Sequence, residues 1–291
     1  MIDYSKLFEK IGLNQEGVKL FFDINTRIKN EDFKNQVILG YDAFLAGNEA
    51  FEKFVRAFAE KENLDAEQMH LYLTVIYSEG AYNKMKERGI EDEHFYNSFK
   101  DVARNCALVT EKTGKAGLEM FELPWFKYSL DANLYLLGRL QFQVAKSEYD
   151  ITEDGFEIKK GDTVLFVHVP GTAPLTEEAC NSSYKSALDF FGKYYGMSAL
   201  PCFCYSWLLQ PWLGEVLPEK TNIMKFKSTY KLIETIQSIP HTFRFIFDEQ
   251  CDDPKLYPID NPLRKLAVER LVRGDFIGYG VGVRIVTDKS F

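Results

Sequence analysis

Residues with chemical potential cluster between positions 163 and 207 of this chain. Thr163-Val-Leu-Phe-Val-His168 reads as a strand, Pro170-Gly171-Thr172-Ala-Pro174 as a loop, and Thr176 to Tyr195 as a helix with Thr176 as its N-cap. A helix N-terminus offers free backbone N–H groups and a favourable dipole to phosphate oxygens, and Gly171 lets a ligand approach the backbone closely. The plainer alternative for Pro170, Gly171, Thr172 and Thr176 is a turn. His168 ends the strand and titrates near neutral pH, as a general base must. Its plainer alternative is a packed ring bonded to a backbone carbonyl. In the next strand, Pro201 to Trp207, a period of two puts Cys202, Cys204 and Ser206 on one face. Such a face admits a close ligand, or simply buries cysteine as a small hydrophobe.

Other motifs narrow the chemistry. No Cys-x-x-Cys and no His-x-x-x-His spacing occurs, so no metal is expected. Gly278, Gly280 and Gly282 share one face of a last strand, so something packs very near it. They do not form the glycine fingerprint of a dinucleotide fold, and there is no Walker motif or Gly-x-Ser-x-Gly elbow. The net charge of −8 lacks the basic footprint of a nucleic-acid binder, so no nucleic-acid partner is expected. Five cysteines, an odd number in a long chain, fit reduced thiols and a cytoplasmic setting. No apolar run approaches the roughly 20 residues that span a bilayer, so no membrane partner is expected.

The elements that must position these groups fall into two parts. Phe33, Val37, Tyr41 and Phe44, then Phe51, Phe54, Val55 and Phe58, then Phe95, Phe99, Val102 and Cys106 recur at helical spacing, and no proline precedes Pro124. Thr113 to Gly117 reads as the boundary, which predicts a helical domain over 1–117 and a second domain over 118–291. After it, Leu140, Phe142 and Val144 alternate with Arg139, Gln141 and Gln143, the pattern of a half-buried strand. Glu153-Asp154-Gly155 reads as a hairpin turn, 222–237 as a helix, His241 to Asp248 as a strand, Pro262 to Arg273 as a helix and Gly278 to Val286 as a strand. The predicted order after the boundary is β-β-β-α-β-α-β-α-β, and the fold class is α+β with a mixed α/β second domain.

His168-Val-Pro-Gly171, Pro174-Leu-Thr176, Ala187-Leu-Asp-Phe190-Phe191, Cys204-Tyr-Ser206-Trp207-Leu-Leu, Pro211, Leu217-Pro218, Asn222-Ile223 and Phe226 form a distinctive succession, and Gly138-Arg139-Leu140-Gln141-Phe142 joins it. From about Leu123 to Val286 the chain resembles the acyltransferase domain-containing proteins with a GNAT-like C-terminal domain. The helical part resembles that family's N-terminal domain more loosely. The resemblance implies an acyl-CoA-dependent acyltransferase using acyl-CoA or acetyl-CoA as cosubstrate and transferring the acyl group to an amine or hydroxyl of a small-molecule or peptide acceptor. It implies that 163–195 is the strand–loop–helix unit that holds the coenzyme A pyrophosphate, at Pro170, Gly171, Thr172 and Thr176. The acyl thioester then lies between that strand and the strand over 201–207. On this mapping His168 is the base, Ser206 a donor to the leaving thiolate or the acyl oxygen, and Arg139 and Gln141 orient the acceptor. Two other readings use the same cleft, a non-catalytic ligand- or peptide-binding module and an acyl-enzyme built on Cys204 and His168. The fold's usual pyrophosphate signature, Arg or Gln, two residues, Gly, one residue, Gly or Ala, is replaced here by Pro-Gly-Thr-Ala-Pro.

Overall fold

A computed structural model describes residues 2–171, 173–237, 240–247 and 251–291. Contacts divide the chain into two compact units, Met1–Leu136 and Leu137–Phe291. The first holds α1 (Tyr4–Ile11), α2 (Gln15–Asn25), α3 (Glu31–Ala46), α4 (Asn48–Glu62), α5 (Ala66–Glu87), α6 (Asp92–Ser98), α7 (Lys100–Thr113) and α8 (Leu123–Leu130). The central helix is α5. A capping box of Asp65 and Gln68 starts it, and it is buried on every side through Met69, Leu71, Tyr72, Leu73, Val75 and Tyr77. The predicted boundary at Thr113–Gly117 ends α7. The residues after it are fastened to the start of α5, with Leu118 N–H donating to Glu67 O at 2.9 Å.

The second part is a twisted mixed sheet. Its elements are β1 (Leu134–Leu137), which spans the contact division, β2 (Leu140–Lys146), β3 (Ile151–Glu153), β4 (Phe156–Ile158), β5 (Thr163–His168), α9 (Glu177–Tyr195), β6 (Leu200–Ser206), α10 (Asn222–Ser228), β7 (Lys231–Ile236), α11 (Pro240–Phe247), α12 (Pro262–Val272) and β8 (Tyr279–Val286). The strand order is β1-β2-β5-β6-β8-β7, and β3 and β4 form a separate hairpin. Asp154 and Gly155 turn that hairpin with positive φ at both positions, as a tight two-residue turn requires. The strands β5 and β6 are parallel, joined by the α9 crossover, while β2–β5, β6–β8 and β7–β8 are antiparallel.

The expected α+β architecture holds, with three local corrections. The segment 222–237 is not one helix: α10 stops at Ser228 and β7 follows, because Lys231 to Ile236 find hydrogen-bonding partners on β8. The predicted strand from His241 is instead α11. Phe243, Ile246 and Phe247 lie at helical spacing and pack into a satellite core with Trp212, Leu213, Tyr257, Leu266 and Ile277. Asp248 lies outside the described residues. The alternation around β2 is real, but its polar side is not solvated, since Gln141 and Gln143 keep only 2% and 7% of their surface.

Candidate functional site

The sheet parts at its centre. The ladder between β5 and β6 holds the pairs Leu165↔Cys202 and Phe166↔Phe203. Beyond Phe166, β5 continues along β2 as far as His168 opposite Gln141. Beyond Phe203, β6 continues along β8 as far as Ser206 opposite Gly280. Each strand thus keeps its outer partner while the inner ladder ends, and a V opens between them with His168 and Ser206 at its two tips. The loop into α9 leaves from the His168 tip.

Registered partners share a face of a sheet, so the two tips point to opposite sides. His168 lies with Gln141, Gln143, Phe166, Phe203 and Tyr205. Its Nε2 is 2.9 Å from Gln143 Oε1, and the Phe166 and Tyr205 rings stand 4.8 Å apart. With Gln143 Oε1 as the acceptor, Nε2 is the donor of this pair. Desolvation by the surrounding protein draws the His168 pKa down to about 4, so the ring is neutral at neutral pH.

Cys202, Cys204 and Ser206 lie on the other face, over Tyr184 of α9 and Tyr230, whose hydroxyls bond one another. Burial pushes the Cys202 thiol up to about 12 and the Cys204 thiol higher still. The Cys204–His168 pair is therefore not assembled: the two side chains are separated by the sheet itself, and the thiol is a neutral core group. Ser206 Oγ accepts from Leu208 N–H at 3.2 Å and caps the short turn Trp207–Leu209. Across from it, a Cβ on Gly280 would lie 2.9 Å from Leu209 Cβ, and one on Gly282 would lie 2.9 Å from Tyr230 Cβ. What packs close to the glycine face is thus this turn and Tyr230.

At the loop, Pro170 is half-buried and Gly171 faces open space, with nothing within 4 Å of a Cβ placed there. Thr172 lies outside the described residues. Thr176 caps α9, its Oγ1 accepting from Ala179 N–H at 3.2 Å. Glu177 and Glu178 occupy the first turn of that helix, and Glu177 pairs with Lys225 at 3.2 Å. Arg139 and Gln141 do not share a face as expected. Arg139 sits in the β1–β2 turn and reaches the loop instead, where Nη2 donates to Ala173 O at 2.6 Å and Nε to Pro174 O at 3.2 Å. Gln141 is buried beside His168 in the ladder.

Two participants went unread in the sequence. Gln143 orients His168, and its place two residues after Gln141 in an alternating strand was the available signal. Ser183 accepts from the N–H groups of Arg139 (2.7 Å) and Leu140 (3.3 Å) and donates to Ala179 O (2.9 Å), tying the turn to α9. Nothing local marks this tie, because the two N–H groups Ser183 accepts from lie about 44 residues away. Among the described residues no group of three or more His, Cys, Asp or Glu is placed to hold a metal ion, and no helix is long and apolar enough to cross a membrane.

Comparison with known proteins agrees with this fold. No curated protein matches the chain. Among the solved structures that share the fold, two stand at 19% identity with a TM-score of 0.63. One is an acyltransferase in complex with decanoyl-CoA and teicoplanin, covering 98% of this chain and 99% of that one. The other is a mutant acyltransferase in complex with octanoyl-CoA, covering 97% and 99%. An N-acyltransferase N-terminal domain matches residues 3–132. A GNAT-like C-terminal domain matches residues 134–284, more than half of the chain, and the protein belongs to that family.

Proposed function

We propose that the chain is an acyl-CoA-dependent acyltransferase that moves an acyl group from the coenzyme A thioester to an amine of a small acceptor. The observation that carries this reading is the end of the β5–β6 ladder at Phe166/Phe203, immediately before the loop and helix of α9. An extended ligand with amide groups can enter such an opening as a strand would, with its phosphates toward the helix N-terminus. The neighbours bound to decanoyl-CoA and octanoyl-CoA support a medium-chain donor, and the teicoplanin complex supports a small-molecule acceptor.

The chemistry is direct transfer. The acceptor amine attacks the thioester carbonyl carbon, a C–N bond forms, and the C–S bond breaks as the coenzyme A thiolate leaves. One amine proton must be removed. The neutral imidazole of His168, oriented by Gln143, is the base, and the proton ends on the leaving sulfur as the free thiol. Ser206 lies on the opposite face from His168, so its role is to cap the turn at Trp207–Leu209 beside the opening and not to meet the atoms that His168 serves. Pro170, Gly171, Thr172 and Thr176 form the phosphate end of the donor site.

A second reading, a non-catalytic binding module, is favoured by one observation: Glu177 and Glu178 stand in the first turn of α9, where negative charge opposes a phosphate. Titration with decanoyl-CoA separates the two. At 100 times its dissociation constant, a bound donor stabilises the chain by roughly 2.7 kcal/mol, a clear rise in melting temperature. Gly171→Glu has room for its side chain, so it should fold normally and lose that rise. No shift with any acyl-CoA at millimolar concentration would favour the binding module.

A further inference from the structure

We propose that Arg139 is the positioning residue of the donor loop, holding the segment before Thr176 in the shape that receives the coenzyme A phosphates; this rests on the acyl-CoA reading above. Three features of the structure lead there. The guanidinium grips two consecutive carbonyls, Ala173 O and Pro174 O, from a turn on the far side of the loop. A guanidinium is a rigid fork, so two bonds to successive peptide units fix the orientation of both. Carbonyls drawn toward Arg139 leave the opposite side of the loop for whatever sits at the mouth of α9.

The fork is itself anchored. Gly138 has φ +71°, a conformation open to glycine, and a Cβ there would come within 2.8 Å of Ser183 Oγ. The same Ser183 hydroxyl accepts from the Arg139 N–H. The base of the side chain is thereby bonded to α9, the helix whose N-terminus follows the loop, so hydrogen bonds join the turn both to Ala173–Pro174 and to that helix. The charge balance points the same way. The first turn of α9 carries two carboxylates. Lys225 pairs with Glu177, and Arg139 brings a permanent positive charge to the loop just before that turn. The missing glycine signature of related folds is compensated here by a side chain from a different strand pair, not by the loop's own composition.

This role differs from orienting the acceptor, and kinetics separate the two. Donor affinity is measured by calorimetry with decanoyl-CoA, and turnover by release of free coenzyme A thiol in the presence of an amine acceptor. Arg139→Met should weaken donor affinity by at least about tenfold, the loss of charged hydrogen bonds worth 1.4 kcal/mol or more. Its kcat at saturating donor should stay within about twofold of the wild type, because the reacting atoms are untouched. Arg139→Lys restores the charge without the fork and should recover only part of the affinity. A merely structural role would lower the melting temperature and leave this split between KM and kcat absent. Unchanged donor affinity in both variants, or a rise in acceptor KM with donor KM unchanged, overturns the inference while leaving the acyl-CoA reading intact. A wild-type chain that binds no acyl-CoA overturns both. Should Arg139→Met fail to fold, Arg139→Lys alone decides, since it keeps the length and charge of the side chain.

Discussion

At the scale of single residues, His168 and Cys204 have different fates. His168 is neutral in the folded chain because desolvation holds its pKa near 4. A base is lost when protonated, so a His168-dependent kcat/KM should stay level as pH falls through 6.5 and decline only near pH 4, outside the unperturbed histidine range. His168→Ala should lower turnover about 10²- to 10⁴-fold with donor affinity nearly intact. A drop in melting temperature with unchanged turnover per folded molecule would instead make the ring a packing group. Cys204 is a buried neutral thiol on the opposite face from His168. Cys204→Ala should therefore keep more than about a tenth of wild-type turnover, whereas an activated cysteine nucleophile would lose nearly all of it. Acylated Cys204 in the mass spectrum after incubation with acyl-CoA alone would overturn this assignment.

At the scale of elements, the opening depends on how β6 and β8 stay together while β5 departs. The two strands keep their ladder through Ser206↔Gly280. The turn at Trp207–Leu209 then folds back over the glycines, with Leu209 O and Leu209 Cβ both 2.9 Å from a Cβ placed on Gly280. The Leu232 Cδ1 methyl, also 2.9 Å away, can swing aside, but the Leu209 carbonyl and Cβ cannot yield to Gly280→Ala without moving the turn. The substitution should cost about 1–3 kcal/mol of stability by chemical denaturation, typical of overpacking. It should also impair the site through Ser206, whose hydroxyl caps the displaced turn. A stability change below a few tenths of a kcal/mol would mean that the turn moves freely and does not shape the opening.

At the scale of the whole molecule, the division into domains is open to a direct test. A linker at Thr113–Gly117 is where composition suggests one, but Lys115 Nζ bonds Asp65 Oδ2 at 2.7 Å and a Cβ on Gly117 would meet the Glu67 backbone at 2.9 Å. Contacts separate the chain at Leu136–Leu137, and the two family matches meet at residues 132 and 134. Proteases cut where backbone is exposed and unbonded. Limited proteolysis should therefore spare 115–118 and, where it separates two stable pieces, do so near 131–138. Early cleavage at Lys112 or Lys115 that yields two stable fragments would move the boundary to 117.

Much of the fold was legible because it is written in local pattern. The helical spacing of Phe33, Val37, Phe44, Phe51, Val55 and Phe58, the strand of Thr163 to His168, the Asp154-Gly155 turn and the Thr176 cap are short-range signals, and each appears where the residues indicate. The succession of motifs from His168 to Phe226 carried the family as well. Two elements were misread because local pattern is degenerate there. Ile223, Phe226 and Tyr230 continue a helical period into residues that become β7 only through pairing with β8, and the alternating Phe243 and Phe245 suit a strand until a separate core takes Phe243 and Phe247 on one helical side. The site shows the limit most plainly. Residue types named His168, Cys204, Ser206 and Arg139 as chemically able, but which of them share a face of the sheet is set by inter-strand register, a long-range property. The parallel pair Phe166↔Phe203 places His168 and Cys204 on opposite faces, and the turn at Gly138 sends Arg139 to the Ala173 and Pro174 carbonyls. A shift of one residue in that register would have reversed the first of these outcomes, and only tertiary packing chooses between the two.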